Sequence, residues 1–359
     1  MNYALIGCGR ISANHIASAV ENNLNITALC DLLPERMEEL KQRYHLPDSV
    51  KFYTDYREML RLEKIELAAI ATESGKHAAI AFDCIEAGVN LIIEKPIALS
   101  ISDADRIIER AEKKKVCVCA CHQNRFNKSV QKIRSAVETG RFGRLFHGTA
   151  HILWNRGEEY YRQAPWRGTW EQDGGALMNQ CIHNLDLLRW MMGDEIEEVF
   201  AYTDRICHPY IEAEDLGLAV IKFAGGAYGL IEGTTNIYPQ NLEETLCLFG
   251  DRGTVKAGGK SVNIIEEWRF ADSLDISEDV KAQYSENPPN VYGFGHSPLY
   301  RDVIGAVKEG RAPYIDAKAG KRALELVLGI YESAAKHKPV RFPLKSSGTL
   351  NFRGRFDQA

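Results

Sequence analysis

Long apolar runs, basic blocks and internal repeats are all missing from this sequence, and each absence removes a class of function. No stretch approaches the ~20 apolar residues that a helix needs to cross a bilayer, so no membrane span is expected. Lys and Arg are dispersed and the formal net charge is −5, which lacks the basic footprint of a nucleic-acid binder. The opening Met1-Asn2-Tyr3-Ala4-Leu5-Ile6-Gly7 enters a strand pattern without the basic segment and apolar core of a signal peptide, so a cytoplasmic protein is expected. Cysteines number nine, an odd count, in apolar settings such as Ala28-Leu29-Cys30 and Thr245-Leu246-Cys247-Leu248, as reduced buried thiols do. The alternating Cys117, Cys119 and Cys121, followed by His122, lack the usual spacing of zinc ligand pairs, and no metal is expected.

What is present is an ordinary globular balance, 45% hydrophobic and 26% charged, in a chain too long for one core. The texture divides it into residues 1–122 and 123–359. In the first part, apolar runs (Tyr3 to Ile6, Ile26 to Cys30, Leu67 to Ala71, Val89 to Ile93, Val116 to Ala120) alternate with amphipathic stretches such as Asp103 to Lys113. That alternation predicts an α/β Rossmann domain, a doubly wound parallel sheet with crossover helices. After a helical stretch from Lys128 to Thr139, strand patterns recur at Leu145 to Leu153, Glu197 to Arg205, Gly217 to Phe223, Ala227 to Thr234 and Glu244 to Phe249. Gly, Pro and Asp clusters separate them, so an α+β domain with a large, mainly antiparallel sheet is predicted. Helices are expected over Gly174 to Met192, Leu299 to Lys308 and Ala317 to Lys336, and a mobile tail or an arm onto a neighbouring subunit over Lys345 to Ala359.

Gly7-Cys8-Gly9-Arg10-Ile11-Ser12 follows the first strand and opens a helix, the place of a phosphate-binding turn. The first glycine allows the tight turn, and the second lets a pyrophosphate approach free N–H groups at the helix N-terminus. Asp31 closes the next strand roughly twenty residues on, where a carboxylate accepts from the adenosine ribose and repels a 2′-phosphate. NAD is therefore expected over NADP.

Glu94-Lys95-Pro96 follows the strand Leu91-Ile92-Ile93, at the carboxyl edge where such sheets bind ligands. An ammonium there can hold an alcohol oxygen and offset negative charge as its proton leaves. On the 174–192 helix, at about 100° per residue, Leu177, Cys181, Leu185, Leu188 and Met192 make one stripe, with Asn179, His183, Asp186 and Trp190 opposite. His183 is the best general-base candidate, since an imidazole titrates near neutral pH; Asn179, one turn earlier, can orient it or bind a sugar hydroxyl.

Together these motifs resemble the glucose–fructose oxidoreductase / inositol dehydrogenase / MocA family. The likeness rests on Gly7-Cys8-Gly9, Asp31, Ala71-Thr72 with Ser74-Gly75 and His77, Glu94-Lys95-Pro96, Asn124-Arg125-Phe126, and Gly174-Gly175-Ala176-Leu177 leading to His183 and Asp186. It implies that Lys95 and His183 serve the hydride transfer and that Thr72, His77, Glu94 and Gln123 join the cofactor site. Where many members carry Asp before the His, this chain has Asn179, and Glu73 stands where Pro is frequent. Within the family the likeness is to WlbA-type UDP-N-acetylglucosaminuronate 3-dehydrogenases, through Trp154-Asn155-Arg156, Tyr160-Tyr161, Trp166-Arg167-Gly168-Thr169-Trp170, Tyr238-Pro239-Gln240-Asn241 and Tyr292-Gly293-Phe294-Gly295-His296. It implies Arg156, Tyr160, Gln240 and His296 as substrate contacts and Trp166 and Arg167 as cofactor contacts. The expected activity is NAD-dependent oxidation of a sugar hydroxyl by a homodimer or homotetramer. The alternatives are an inositol or free-sugar dehydrogenase, and a non-catalytic NAD-binding sensor or scaffold.

Overall fold

The computed structural model describes residues 1–193, 195–288 and 291–357, and the chain forms two compact units. The first comprises Met1–His122 with His296–Lys321, the second Gln123–Gly295 with Arg322–Ala359. One division of the chain falls after residue 122. The return of residues 296–321 to the first unit does not follow from the sequence texture; it arises because one long-range helix packs there.

The first unit is a six-stranded parallel sheet in the order β3-β2-β1-β4-β5-β6. Its strands are β1 (Asn2–Ile6), β2 (Asn25–Cys30), β3 (Lys51–Tyr53), β4 (Leu67–Ile70), β5 (Asn90–Ile93) and β6 (Val118–Ala120). The crossover helices are α1 (Ser12–Glu21), α2 (Pro34–Arg43), α3 (Tyr56–Leu62), α4 (His77–Glu86) and α5 (Ile101–Lys114). β1, β4 and β5 are buried almost without a break, as strands covered on both faces must be. In α5, Ser100 accepts from the Asp103 N–H at the N-cap, and Ile101, Ala104, Ile107 and Ala111 make the buried stripe. Strand order reverses between β1 and β4, so the crevice at their carboxyl ends is the ligand site of this architecture.

The second unit opens with α6 (Lys128–Glu138) and carries an eight-stranded sheet in the order β13-β12-β11-β7-β10-β9-β8-β14. The strands are β7 (Leu145–Leu153), β8 (Ile196–Asp204), β9 (Leu216–Phe223), β10 (Tyr228–Thr234), β11 (Glu243–Gly250), β12 (Gly253–Gly258), β13 (Ile264–Phe270) and β14 (Val340–Arg341). Pairing is antiparallel except that β10 runs parallel to β7. The chain crosses over between β7 and β8, so the β8-β9-β10 meander returns beside β7 in the same direction. The remaining helices are α7 (Glu158–Arg162), α8 (Ile182–Met192), α9 (Ser277–Tyr284), α10 (His296–Glu309) and α11 (Ala317–Lys336).

The predicted 174–192 helix is in two pieces, a π turn over Leu177–Cys181 and then α8. Its apolar stripe lies on the sheet, where a Cβ at Gly217 would stand 2.5 Å from Leu177 and one at Gly148 would stand 2.8 Å from Met192. The C-terminal segment is neither a loose tail nor an arm. Thr349 Oγ1 donates to the Trp170 carbonyl at 2.5 Å, Phe356 stacks on Trp170, and Arg205 holds the Phe356 carbonyl at 2.6 Å. Aromatic burial against the second unit outweighs the polar composition that suggested mobility; Gln358 and Ala359 lie outside the described residues. Among the described residues, no helix is long and apolar enough to cross a membrane.

Candidate active site

In the first unit, β1 ends at Ile6 and the chain turns through Gly7 at φ +95°. A Cβ there would stand 2.6 Å from the Ala71 carbonyl carbon at the end of β4, so only glycine fits where the two strands part. A Cβ on Gly9 would meet nothing within 4 Å, which leaves its backbone face open at the start of α1. Asp31 braces this turn: one carboxylate oxygen accepts from the Cys8 N–H at 2.7 Å, the other from the Leu33 N–H at 2.9 Å. Arg36 approaches the carboxylate at 3.6 Å. Turn, open backbone face and anchored carboxylate fit the pyrophosphate and adenosine ribose of NAD. Ile11 and the exposed Arg10 complete the turn.

Glu94, Lys95 and Pro96 leave β5 at the same edge, with Lys95 half-buried and the Lys95–Pro96 peptide cis. The buried His77 ties this segment to the end of β4, with Nδ1 2.7 Å from the Pro96 carbonyl and Nε2 3.1 Å from that of Thr72. Burial holds the His77 imidazole below its ordinary pKa. Glu94 is buried beneath Lys95, and one oxygen accepts from the Lys95 N–H at 3.2 Å. Its other oxygen lies 3.1 Å from His15 Nε2 and 3.7 Å from His296 Nε2. Burial alone would raise the Glu94 pKa, but the hydrogen bond from His15 and the nearby His296 imidazole outweigh it and hold the carboxyl well below its usual range. His15 Nδ1 meets the Tyr300 hydroxyl at 2.7 Å, which meets the Tyr3 hydroxyl at 2.8 Å. His15, Glu94, Cys121 and His296 place one donor atom each within 4.8 Å, the donor set in this unit that a metal could use.

In the second unit, aromatic and guanidinium groups gather on Tyr160. Arg156 lies 4.6 Å from the Trp154 ring and 5.3 Å from that of Tyr160; Arg167 lies 4.3 Å from Tyr160 and 4.6 Å from Trp166. The Tyr160 hydroxyl accepts from Arg167 at 2.5 Å and from Gln180 at 2.9 Å. Arg156 donates to the Asn155 carbonyl at 2.6 Å and to Asn241 at 3.1 Å, while Gln240 is exposed in the same loop. Half-buried Asn179 and His183 stand on the π turn and on α8. Asn179 donates to Asp173, whose second oxygen accepts from the Gly168 N–H at 2.7 Å.

Several placements differ from expectation. His296 is 4% exposed and belongs to the first unit, where it faces Glu94; helix packing of α10 on α1 carries it there and leaves little surface for a substrate. Arg125 covers Asp186 and Trp190, forming a two-pronged pair with Asp186 at 2.7 and 2.6 Å and stacking 4.6 Å over the Trp190 ring. Gln123 is buried in the second unit. Lys95 belongs to the first unit and His183 to the second. The sequence assigns no role to Asp173, Gln180 or His15. Asp173 lies six residues before Asn179, a spacing without a helical signature, and it supplies the carboxylate that the Asn seemed to forgo.

Residues 1–122 match the oxidoreductase family with an NAD-binding Rossmann fold, and residues 130–256 match the GFO/IDH/MocA C-terminal domain. The structure is similar to that of the WlbA dehydrogenase from Bordetella pertussis in complex with NADH and UDP-GlcNAcA. Identity is 35%, coverage 96% of this chain and 98% of that one, and the TM-score 0.87. The WlbA dehydrogenase from Chromobacterium violaceum, with the same ligands, is 33% identical at a TM-score of 0.87, over 96% of each chain. Myo-inositol 2-dehydrogenase of Thermotoga maritima is 26% identical over 95% of this chain and 98% of its own. With a glycine turn, an acidic residue closing the second strand and this whole-chain likeness, the protein belongs to the GFO/IDH/MocA family of NAD-binding oxidoreductases.

Proposed function

We propose that the enzyme oxidises a secondary hydroxyl of a pyranose, the 3-hydroxyl of a UDP-linked N-acetylhexosamine or its uronate. The observation that carries this reading is the pair of guanidiniums, Arg156 and Arg167, on the Tyr160 ring. A carboxylate or diphosphate matches such a fork, whereas a cyclitol or neutral sugar offers it no charge. The full-length likeness to a dehydrogenase holding NADH and UDP-GlcNAcA supports the same class. NAD, when bound, supplies the hydride acceptor. Lys95 holds the substrate oxygen and offsets its developing charge. His183 takes the hydroxyl proton, and Asn179, anchored by Asp173, sets the geometry of that neighbourhood. Arg156, Tyr160 and Gln240 contact the substrate; Trp166 and Arg167 extend to the cofactor, and His296 acts through Glu94.

The apolar outer face of the sheet supports a homo-oligomer. Val220 pairs with Leu230 and Phe200, and Leu218 with Tyr202, and among these Val220 is 50% and Tyr202 60% exposed. Nine cysteines outside any disulfide suit the reducing cytoplasm.

Turnover is tested by NADH absorbance with UDP-N-acetylglucosaminuronate. Lys95→Ala should abolish it while NAD titration remains unchanged; full activity in that variant overturns the mechanism. Competition by UDP marks a nucleotide-sugar site, and its failure together with turnover of inositol would move the assignment to a cyclitol dehydrogenase.

A further inference from the structure

Glu214 is fully buried, just before β9, and has no part in the proposed chemistry, yet it holds the start of the segment that carries Asn179 and His183. Its carbonyl accepts from the Ala176 N–H at 3.1 Å, and its Oε1 accepts from the Leu177 N–H at 2.7 Å. It thereby satisfies, from a distant part of the chain, backbone donors that the start of a helix leaves open. The Tyr331 hydroxyl lies 2.5 Å from the Gly174 carbonyl oxygen and 2.8 Å from Glu214 Oε1.

Counting protons decides the state of this group. Tyr331 has one hydrogen, and the Gly174 carbonyl can only accept. If Tyr331 donates to an ionised Glu214, two oxygens without a proton between them face each other at 2.5 Å. If Tyr331 donates to Gly174, the 2.8 Å contact needs a proton from Glu214. Only the second arrangement gives both short contacts a hydrogen. The other carboxyl oxygen, Oε2, has no hydrogen-bond partner among the described residues, a cost that is much smaller for a neutral acid than for an anion. It sits where a Cβ on Gly175, at φ +95°, would approach within 1.8 Å.

We propose that Glu214 is a positioning residue that works as a neutral acid, its proton completing the chain from Glu214 through Tyr331 to the Gly174 carbonyl and fixing the turn that presents Asn179 and His183. The groups facing the Glu214–Tyr331 pair are Asp173, Tyr161, Cys181 and Arg355. Burial, aided by the Asp173 charge, prevails over the Leu177 N–H, the Tyr331 hydroxyl and Arg355, which favour ionisation, and lifts the Glu214 pKa to about 8. Below that pH the chain of donors is intact. Above it the proton is gone and the turn loosens.

The proposal rests on His183 being the proton acceptor, so its test has readouts besides turnover. In the full-length enzyme, kcat should fall about tenfold per pH unit above about 8. Glu214→Gln, whose amide N–H replaces the acid proton, should keep kcat at pH 7 within about threefold and lose that fall, with KM little changed. The infrared band of a protonated carboxyl should be present at pH 7, absent from Glu214→Gln, and bleached on raising the wild type through pH 8. Amide exchange across Leu177–Cys181 should accelerate over the same range beyond its intrinsic pH dependence, in wild type but not in Glu214→Gln. An unchanged alkaline limb in Glu214→Gln, or no band assignable to Glu214, overturns the proposal. If the sugar is not turned over at all, the functional reading fails, and the infrared and exchange results still decide Glu214.

Discussion

Replacing Asp31 by Ala separates two tasks of that carboxylate, the bracing of the glycine turn seen in the structure and the proposed hold on the ribose. Its oxygens accept from the Cys8 and Leu33 N–H groups at 2.7 and 2.9 Å. Cys8 is buried, so its N–H loses the bond outright, while Leu33 is 42% exposed and water replaces the carboxylate there. A hydrogen bond to an ionised group contributes about 1.5–3 kcal/mol, and the exposed one counts for less, so a total loss of about 2–4 kcal/mol follows. At about 2–4 °C per kcal/mol, the cofactor-free protein should melt roughly 4–16 °C lower. Loss of the ribose bonds adds about 1.5–3 kcal/mol to the cost of binding NAD, a weakening of roughly 10–150-fold. NADP, no longer repelled by the carboxylate, should lose far less. Differential scanning fluorimetry without cofactor and fluorescence titration with NADH and NADPH measure the two effects. A melting point within about 1 °C of wild type, with NADH affinity unchanged within about twofold, would refute both roles.

Arg125→Met should destabilise the protein by about 3–5 kcal/mol, because Asp186 is left buried without its partner; the pair is 4% and 2% exposed, and chemical denaturation reads the loss. Adding Asp186→Leu should recover a large part of it, and a double variant no more stable than Arg125→Met would contradict the pairing argument. Val220→Lys places a charge in the middle of the exposed apolar sheet face and should shift the protein to smaller species in light scattering after size exclusion, with its secondary structure intact. An unchanged mass would move the contact surface elsewhere.

The elements legible from sequence are those whose signals are local. β1, the turn at Gly7 and α1 are contiguous, so apolar run, glycine and helix start announce the cofactor turn without help from the rest of the chain. The stripe from Leu177 to Met192 shows its packing face by periodicity alone, although the π turn inside it does not, because Glu214 holds that end from a remote segment. Asp173 is invisible as the partner of Asn179 because a spacing of six matches no helical period, and Arg125 reaches Asp186 from a segment remote in sequence. β3 and β14 are too short for a clear alternation, and the parallel pairing of β7 with β10 joins strands more than seventy residues apart.

The sequence alone determined the glycine turn, its acidic partner, the Lys of the strand end and the apolar stripe, since each is written in neighbouring residues by sterics and periodicity. Tertiary structure decided which carboxyls are paired, which is held neutral, and that His296 returns to the first unit to face Glu94. Those outcomes depend on burial and on partners far apart along the chain, and neither quantity is encoded at any single position.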